Sequence, residues 1–380
     1  MVTTGRTGTD FFQSLLDEHP DIFVFNGSLY FHTFWQGALS VQHSAEPNLS
    51  DLLDEFIGAH LKAFKSRYEP SERKDKLGET RDESIDVDTT IFKNHIIGLL
   101  TGQSITSKNV MVAIYVAYEL CLERDLSCKK LFFHHVHHVR KIPDYMQDFP
   151  DSKIICMTRD PRALYVSGVE NSRRYQRAAD HPSFPQYILW RAVDECLPLE
   201  IYNDGRLGML KLEDLAKERT LHEVCNWLGI SFDPCMKETT WNGKRWWGDV
   251  ISENQIPESE RGFSKTIISN KWEKKLDWLE KGVLNYLLID NLEWYGYSCQ
   301  RRDGFLFGMF FAVSILLPTR YERRYLSPRY LFRACKEKKP REIIGAFYHP
   351  LRRIIWFYRL FARRNRGKSN TFPVIGGSHF

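Results

Sequence analysis

Short β-branched runs alternate with amphipathic helical segments over residues 1–300, and that alternation admits few folds. Lys153–Thr158 (KIICMT) is apolar and β-branched without alternation, the pattern of a parallel strand buried on both faces. Leu207–Leu212 repeats that character, and Lys129–Val136 is strand-like. Asp160-Pro161 supplies an N-cap and a first-turn proline for the helix after the 153–158 strand. Beyond Leu212, Leu221, Val224, Cys225 and Leu228 share one helical face, closed by Gly229. Such a succession predicts an α/β fold: a doubly wound, mostly parallel sheet with right-handed crossovers, flanked by helices. At 380 residues the chain holds one main core with appendages.

The N-terminal half adds a helix over residues 10–19, with Phe11, Phe12, Leu15 and Leu16 at helical spacing and Pro20 as its stop. A second helical pattern runs over 108–125, and 65–90 reads as a solvated loop rich in charge. The domain expectation is 1–300, with an insertion at about 31–128, followed by a basic helical appendage at 301–380. No signal-peptide pattern opens the sequence, though only about four residues precede the first glycine turn where a strand normally stands. The eight cysteines form no CxxC pair, which favours reduced thiols and a cytoplasmic setting, associated with the membrane surface if the tail binds it.

Two clusters carry chemistry. Thr4-Gly5-Arg6-Thr7-Gly8-Thr9 leads straight into a helix, so its amides can face an anion at the positive helix end. The same residues also suit an ordinary helix-start turn. The Lys-Ser/Thr ending of a Walker A loop is missing, which disfavours a magnesium-dependent nucleoside triphosphatase. The second cluster is Thr158-Arg159-Asp160-Pro161-Arg162-Ala163-Leu164-Tyr165-Val166-Ser167. Arg159 stands at the carboxyl end of a buried strand, where open α/β sheets bind ligands, and Ser167 follows two turns into the helix. Arg162 and Arg173 read either as ligand contacts or as solvated surface residues.

Gly5-Arg6-Thr7-Gly8-Thr9 with the following FQSLLDEHPDI resembles the 5′-phosphosulfate loop of sulfotransferases, and KIICMTRDPRALYVSG resembles their 3′-phosphate element. Leu210–Leu215 (LKLEDL) and Cys225–Ile230 (CNWLGI) are similar to the strand and helix that follow in that family. The likeness covers residues 2–30 and roughly 129–300, and the RDPRA form is closer to glycan-modifying members than to small-phenol members. It implies a P-loop-like doubly wound sheet and transfer of a sulfuryl group from 3′-phosphoadenosine 5′-phosphosulfate (PAPS), with no metal. It further implies Arg6, Thr7, Gly8 and Thr9 on the 5′-phosphosulfate, Arg159 and Ser167 on the 3′-phosphate, and a basic loop with Arg261, Ser264 and Lys265 over the nucleotide. Two departures stand out: Arg6 replaces the lysine of many members, and Asp10 occupies a place often held by a hydroxyl residue, where it could cap the helix or repel a phosphate.

Sulfuryl transfer leaves charge on the bridging oxygen, which Arg6 and the loop amides would stabilise, and a hydroxyl acceptor must lose a proton. Histidine suits that task near neutral pH. The resemblance implies a histidine at the end of the strand before the Arg159 strand, where His134, His135, His137 and His138 cluster, and position favours His135 or His137, on the opposite face from His134 and His138. His135 and His137 are therefore the candidate bases, and His95 the reserve. A metal site needs ligands on one face, and none join at zinc spacing. Trp241, Trp246, Trp247 and Trp272 either pack a core or offer stacking faces to a sugar.

Net charge is +5, but residues 300–380 carry 18 Lys and Arg against four Asp and Glu, a balance of +14 that leaves −9 for the rest. Phe305–Pro318, 14 residues, is shorter than a bilayer span. Arg352–Arg364 mixes aromatic and basic residues as interfacial helices do, or forms an appendage packed on the main domain. No nucleic-acid recognition module accompanies the basic tail, so no nucleic acid is expected. The acceptor is expected to be a hydroxyl of a glycan, or otherwise of a lipid or small metabolite. A catalytically silent nucleotide-binding or membrane-surface protein of the same fold is the alternative.

Overall fold

Two parallel sheets, rather than the single doubly wound sheet expected, carry the main strands in a computed structural model. It describes residues 2–3, 7–42, 48–66, 76–137, 142–174, 205–248, 272–301, 303–363 and 375. The strands are β1 (Val2–Thr3), β2 (Ile22–Val24), β3 (Leu131–Phe133), β4 (Ile154–Thr158) and β5 (Leu207–Lys211). One sheet has the order β1-β4-β5, with Thr3 opposite Met157 and Thr158 opposite Lys211. The other pairs β2 with β3, Val24 opposite Phe133. A cavity of about 450 Å³ is lined from both sheets, by Leu131 and Phe133 of β3 and by Ile154 and Ile155 of β4. The pairing of β1 with β4 is two residues long.

In the first half, α1 (Thr9–Leu16) buries Phe12, Leu15 and Leu16 before turning into β2. Helices α2 (Phe31–Gln42), α3 (Leu49–Ala59), α4 (Leu61–Phe64), α5 (Thr89–Leu100) and α6 (Ser107–Cys121) follow. Asn48, Asp88 and Thr106 cap α3, α5 and α6 through side-chain oxygens that accept from first-turn amides. These helices bring Phe31, Phe56, Phe64, Phe92 and Tyr118 into the same core as α1 and β2, so described residues of the 31–128 stretch contribute to the main core. Glu119 of α6 is fully buried: Val24 N donates to its Oε1 at 2.8 Å, and Lys129 Nζ stands 3.1 Å from Oε2. Arg124 extends that cluster to Asp17 and Glu18.

The solvated loop expected over 65–90 is only partly so among its described residues. Leu77, Ile85 and Val87 are buried in the main core. Around them, Gly78 O accepts from Trp247 Nε1 at 2.7 Å, and Glu79 and Glu83 pair with Arg245 and Lys244. Those partners belong to a hairpin, β6 (Thr240–Trp241) and β7 (Lys244–Arg245). Trp241, Trp246, Trp247 and Trp272 are all buried, which makes them packing residues.

The chain continues through α7 (Ile142–Asp148), α8 (Pro161–Arg174), α9 (Glu218–Leu228), α10 (Trp272–Lys275), α11 (Trp278–Leu287) and α12 (Ile289–Trp294). Gly229 closes α9 in the left-handed region, φ 83°. After it come α13 (Phe305–Leu316), α14 (Arg320–Tyr325), α15 (Pro328–Lys336) and α16 (Pro340–Arg363). A second core joins Ala163, Tyr165 and Val166 of α8 to α11, α13 and α16, and so draws on residues from both sides of position 300. Ile375 returns to the main core, its N–H donating to Met209 O of β5 at 2.9 Å.

Candidate functional site

Because β1 runs parallel to β4, Thr3 and Thr158 finish their strands at the same, carboxyl end of the sheet. The first leads to Gly8, whose φ of 82° and contact with Leu212 at the end of β5 exclude a side chain: a Cβ there would lie 2.3 Å from Leu212 Cδ1. Gly8 is also the N-cap of α1, a position at which it has no side chain to offer the first-turn amides. Thr7 and Thr9 are buried, at 2% and 4% exposure, while Gly8 is half-buried and Asp10 exposed. The turn thus shows Gly8 and Asp10 outward, and the two threonines turn inward. Thr4, Gly5 and Arg6 lie outside the described residues, as do Arg261, Ser264 and Lys265.

The second turn holds Arg159, half-buried, and Asp160, buried. Asp160 Oδ1 accepts from Arg162 N at 2.9 Å, the cap that the Asp-Pro pair predicts. Ser167 is half-buried in α8. Arg162 is not a surface residue: it is buried, pairs with Asp160, reaches Asn285 Oδ1 and Ser298 O, and stacks 4.3 Å over Trp272. It ties α8 to the second core.

Glu213, just past β5, closes this side. Its Oε1 accepts from Asp160 N at 3.1 Å and its Oε2 from Tyr297 Oη at 3.0 Å. Burial pushes the carboxyl above its ordinary range, opposed by those hydrogen bonds and by the Arg159 charge. The LKLEDL motif contains Glu213, but spacing alone gives it no partner: Tyr297 is 84 residues away.

At the end of β3 the histidines divide by strand face. His134 turns away from α1, bonds Tyr115 Oη at 3.0 Å and stacks on Tyr145 at 4.9 Å, and burial holds its imidazole well below the ordinary 6.5. His135, 1% exposed, points to α1, its Nδ1 2.9 Å from Gln13 Oε1. Gln13 Nε2 donates to Phe25 O at 2.6 Å, which fixes the amide with its oxygen toward the histidine. Nδ1 of His135 therefore carries a hydrogen, and the neutral ring has its lone pair on Nε2. The His137 ring is 4.6 Å from that of His135, and His138 lies outside the described residues. Gln13 went unmarked in the sequence, although Thr9 and Gln13 share a helical face four residues apart. His95 sits on α5, which packs against α3 and α6.

Among the described residues no group of three His, Cys, Asp or Glu is placed to hold a metal. The cavity between β3 and β4 opens on the His134 face, and its lining includes neither His135, Gly8 nor Arg159.

The family model described as "Sulfotransferase family" matches residues 1–234. No curated protein matches the chain. Among solved structures, the sulfotransferase domain from the Synechococcus PCC 7002 olefin synthase aligns at 16% identity and TM-score 0.39, covering 72% of this chain and 85% of its own. The sulfotransferase domain from the curacin biosynthetic pathway aligns at 16% identity and TM-score 0.40, covering 79% of this chain and 97% of its own. The family match spans 234 of 380 residues and takes in Gly8, His135, Arg159, Ser167 and Glu213, and on it the chain belongs to the sulfotransferase family.

Proposed function

We propose that this protein transfers the sulfuryl group of PAPS to a hydroxyl of a glycan. The observation that carries the reading is the parallel β1–β4 pairing, which finishes both strands at the same, carboxyl end of the sheet. Two turns leaving that end suit the two ends of one bisphosphorylated adenosine. The residues fit that group: a glycine at the N-cap of α1 where a Cβ would collide with Leu212, and a guanidinium at the end of β4.

In this reading the bound phosphosulfate supplies an activated sulfuryl group, so that an acceptor O–S bond forms as the bridging S–O bond to phosphate breaks. Arg6 and the backbone around Gly8 hold the 5′ end and stabilise the charge that collects on the leaving phosphate. Arg159 and Ser167 hold the 3′-phosphate, and Arg261, Ser264 and Lys265 cover the nucleotide. His135 accepts the acceptor's hydroxyl proton on Nε2 once that buried atom is opened to the acceptor, because Gln13 keeps its Nδ1 protonated. His137 lies beside it to take the proton onward. The glycan assignment rests on the RDPRA form at Arg159–Ala163.

Incubation with sulfur-35 PAPS and a mixture of glycan acceptors tests the proposal. Label should move only with donor present, and His135→Ala should lower turnover by about 10²- to 10⁴-fold while 3′,5′-bisphosphoadenosine still binds. Failure of the bisphosphate to bind, seen by calorimetry, sinks the donor assignment. Binding without transfer to any hydroxyl acceptor makes the protein a silent nucleotide binder. Loss of turnover in His137→Ala but not in His135→Ala moves the base by two residues.

A further inference from the structure

Helices after Phe305 bury one face in the second core and leave an apolar face uncovered on the other side. In α16, Ala346, His349, Arg353, Phe357 and Leu360 are buried, a spacing of three to four that defines one face. Ile344, Phe347, Tyr348, Leu351 and Ile355 are exposed. At about 100° per residue they lie opposite the buried set. A surface helix ordinarily turns polar residues to water. Helix α13 departs further from that rule: its 12 residues, FLFGMFFAVSIL, contain no charge. Only Phe311, Ser314 and Ile315 of it are buried, and Leu306, at 77% exposure, starts an open row through Phe310 and Val313.

The two open faces are neighbours. Helix α13 runs antiparallel along α16, with Tyr358 Oη donating to Ala312 O at 2.7 Å and Arg353 reaching Ile315 O and Leu317 O. The other flank of the α16 stripe carries Arg341, Arg352 and Arg359, all exposed. Arg352 lies 5.6 Å over Tyr348 and Arg359 4.5 Å over Trp356. An apolar stripe bordered by aromatic-stacked arginines matches a helix lying in a headgroup layer.

We propose that α13 and α16 dock the protein on an anionic lipid surface, lying in the plane of the headgroups with the apolar stripe inward and the arginine row against the phosphates. Charge selects this occupant. Residues 300–380 carry a balance of +14, which an anionic leaflet attracts and a second copy of the same face repels. A span is a different geometry: Phe305–Tyr325, 21 residues, is long and apolar enough to cross a bilayer by length and composition. The helix breaks inside it, however. Thr319 caps α14 through the Glu322 amide, and Arg320, Arg323 and Arg324 follow at once. Helix α13 alone covers about 18 Å at 1.5 Å per residue, against roughly 30 Å of hydrocarbon.

Co-sedimentation of the full chain with vesicles tests the proposal. Binding should be strong with phosphatidylcholine containing phosphatidylserine, weak with phosphatidylcholine alone, and reduced by salt. Arg352→Gln and Arg359→Gln should each weaken binding about fivefold. Phe347→Glu with Leu351→Glu, on the open face, should abolish it while the thermal melt and bisphosphate binding stay unchanged. Equal binding to both vesicles, or binding unaltered by the double Glu variant, overturns the proposal. So does resistance to carbonate extraction, which would indicate a span, and so does self-association lost in the double variant without any vesicle binding.

Discussion

Gln13 Oε1 stands 2.9 Å from His135 Nδ1, across 122 residues of sequence. The same glutamine gives its Nε2 hydrogen to Phe25 O at 2.6 Å. The amide cannot flip without setting its oxygen against the Phe25 carbonyl oxygen, so the tautomer of His135 follows from the residue after β2. A base needs this kind of support, because it must offer the same nitrogen in every turnover.

Replacement of Gln13 by Glu puts a carboxylate where the amide was, and a carboxylate favours the imidazolium form. The acid limb of the kcat profile should move to higher pH, with bisphosphate affinity unchanged. Gln13→Met removes the acceptor altogether, and kcat should fall roughly tenfold to hundredfold through loss of orientation. If the Glu variant has a wild-type pH profile, Gln13 acts on packing alone. Stopped-time assays of sulfur-35 transfer across pH 5 to 9 measure the difference.

Asp10 is exposed in the first turn of α1, next to Gly8. A carboxylate there favours the helix but opposes an anion at the same end, each by about 0.3–1 kcal/mol. Asp10→Ser should therefore tighten bisphosphate binding by about two- to fivefold and lower stability by a few tenths of a kcal/mol. Calorimetry of the two proteins at one ionic strength checks both halves, and unchanged affinity would place the phosphate elsewhere.

His134 links packing to pH. Its folded pKa is depressed by burial, and the unfolded chain takes up a proton near 6.5 that the folded one refuses. Stability from this group is present above 6.5 and is lost as pH falls. His19 and His60, also depressed by burial, act with the same sign. Glu213 acts oppositely: its raised carboxyl protonates more readily when folded, which favours the fold as pH falls toward 4.5. His134→Phe keeps the stack on Tyr145, and Tyr115 Oη retains Phe133 O at 3.2 Å. Melting temperature against pH from 7 to 5 should be flatter in that variant than in the wild type, and identical curves would refute the assignment.

Local signals carried much of the fold. KIICMT, Asp160-Pro161 and Gly229 became β4, the start of α8 and the close of α9, because each depends on its own few residues. The histidine alternation held because neighbouring strand side chains point to opposite faces: His134 meets Tyr145, and His135 meets Gln13. What resisted was long-range. The division into two sheets depends on how far β1 pairs along β4, and no pattern in either strand states it. Leu77, Ile85 and Val87 look like isolated apolar residues in a charged loop until the Trp247 hairpin closes over Gly78. The glycine at the start of α1 is legible from its own few residues, whereas Glu213 depends on Tyr297 and Gln13 on Phe25.

Arg353 shows the same limit, and a stability prediction follows from it. In the sequence it is one of several basic residues in an interfacial pattern, yet it is 2% exposed. Its Nε donates to Glu322 Oε1 at 2.7 Å, Nη1 to Ile315 O at 2.6 Å and Nη2 to Leu317 O at 3.0 Å. One side chain thus satisfies the C-terminal carbonyls of α13 and neutralises a carboxylate buried in α14. Arg353→Met leaves Glu322 buried without its partner, which costs about 3–5 kcal/mol. Glu322→Gln in the same chain should recover part of that loss, since an amide needs less solvation than a carboxylate. Arg352→Met, one residue earlier and exposed, should change stability by less than about 0.5 kcal/mol. Urea unfolding of the three variants measures the contrast, and equal losses at 352 and 353 would mean that the second core does not depend on this guanidinium.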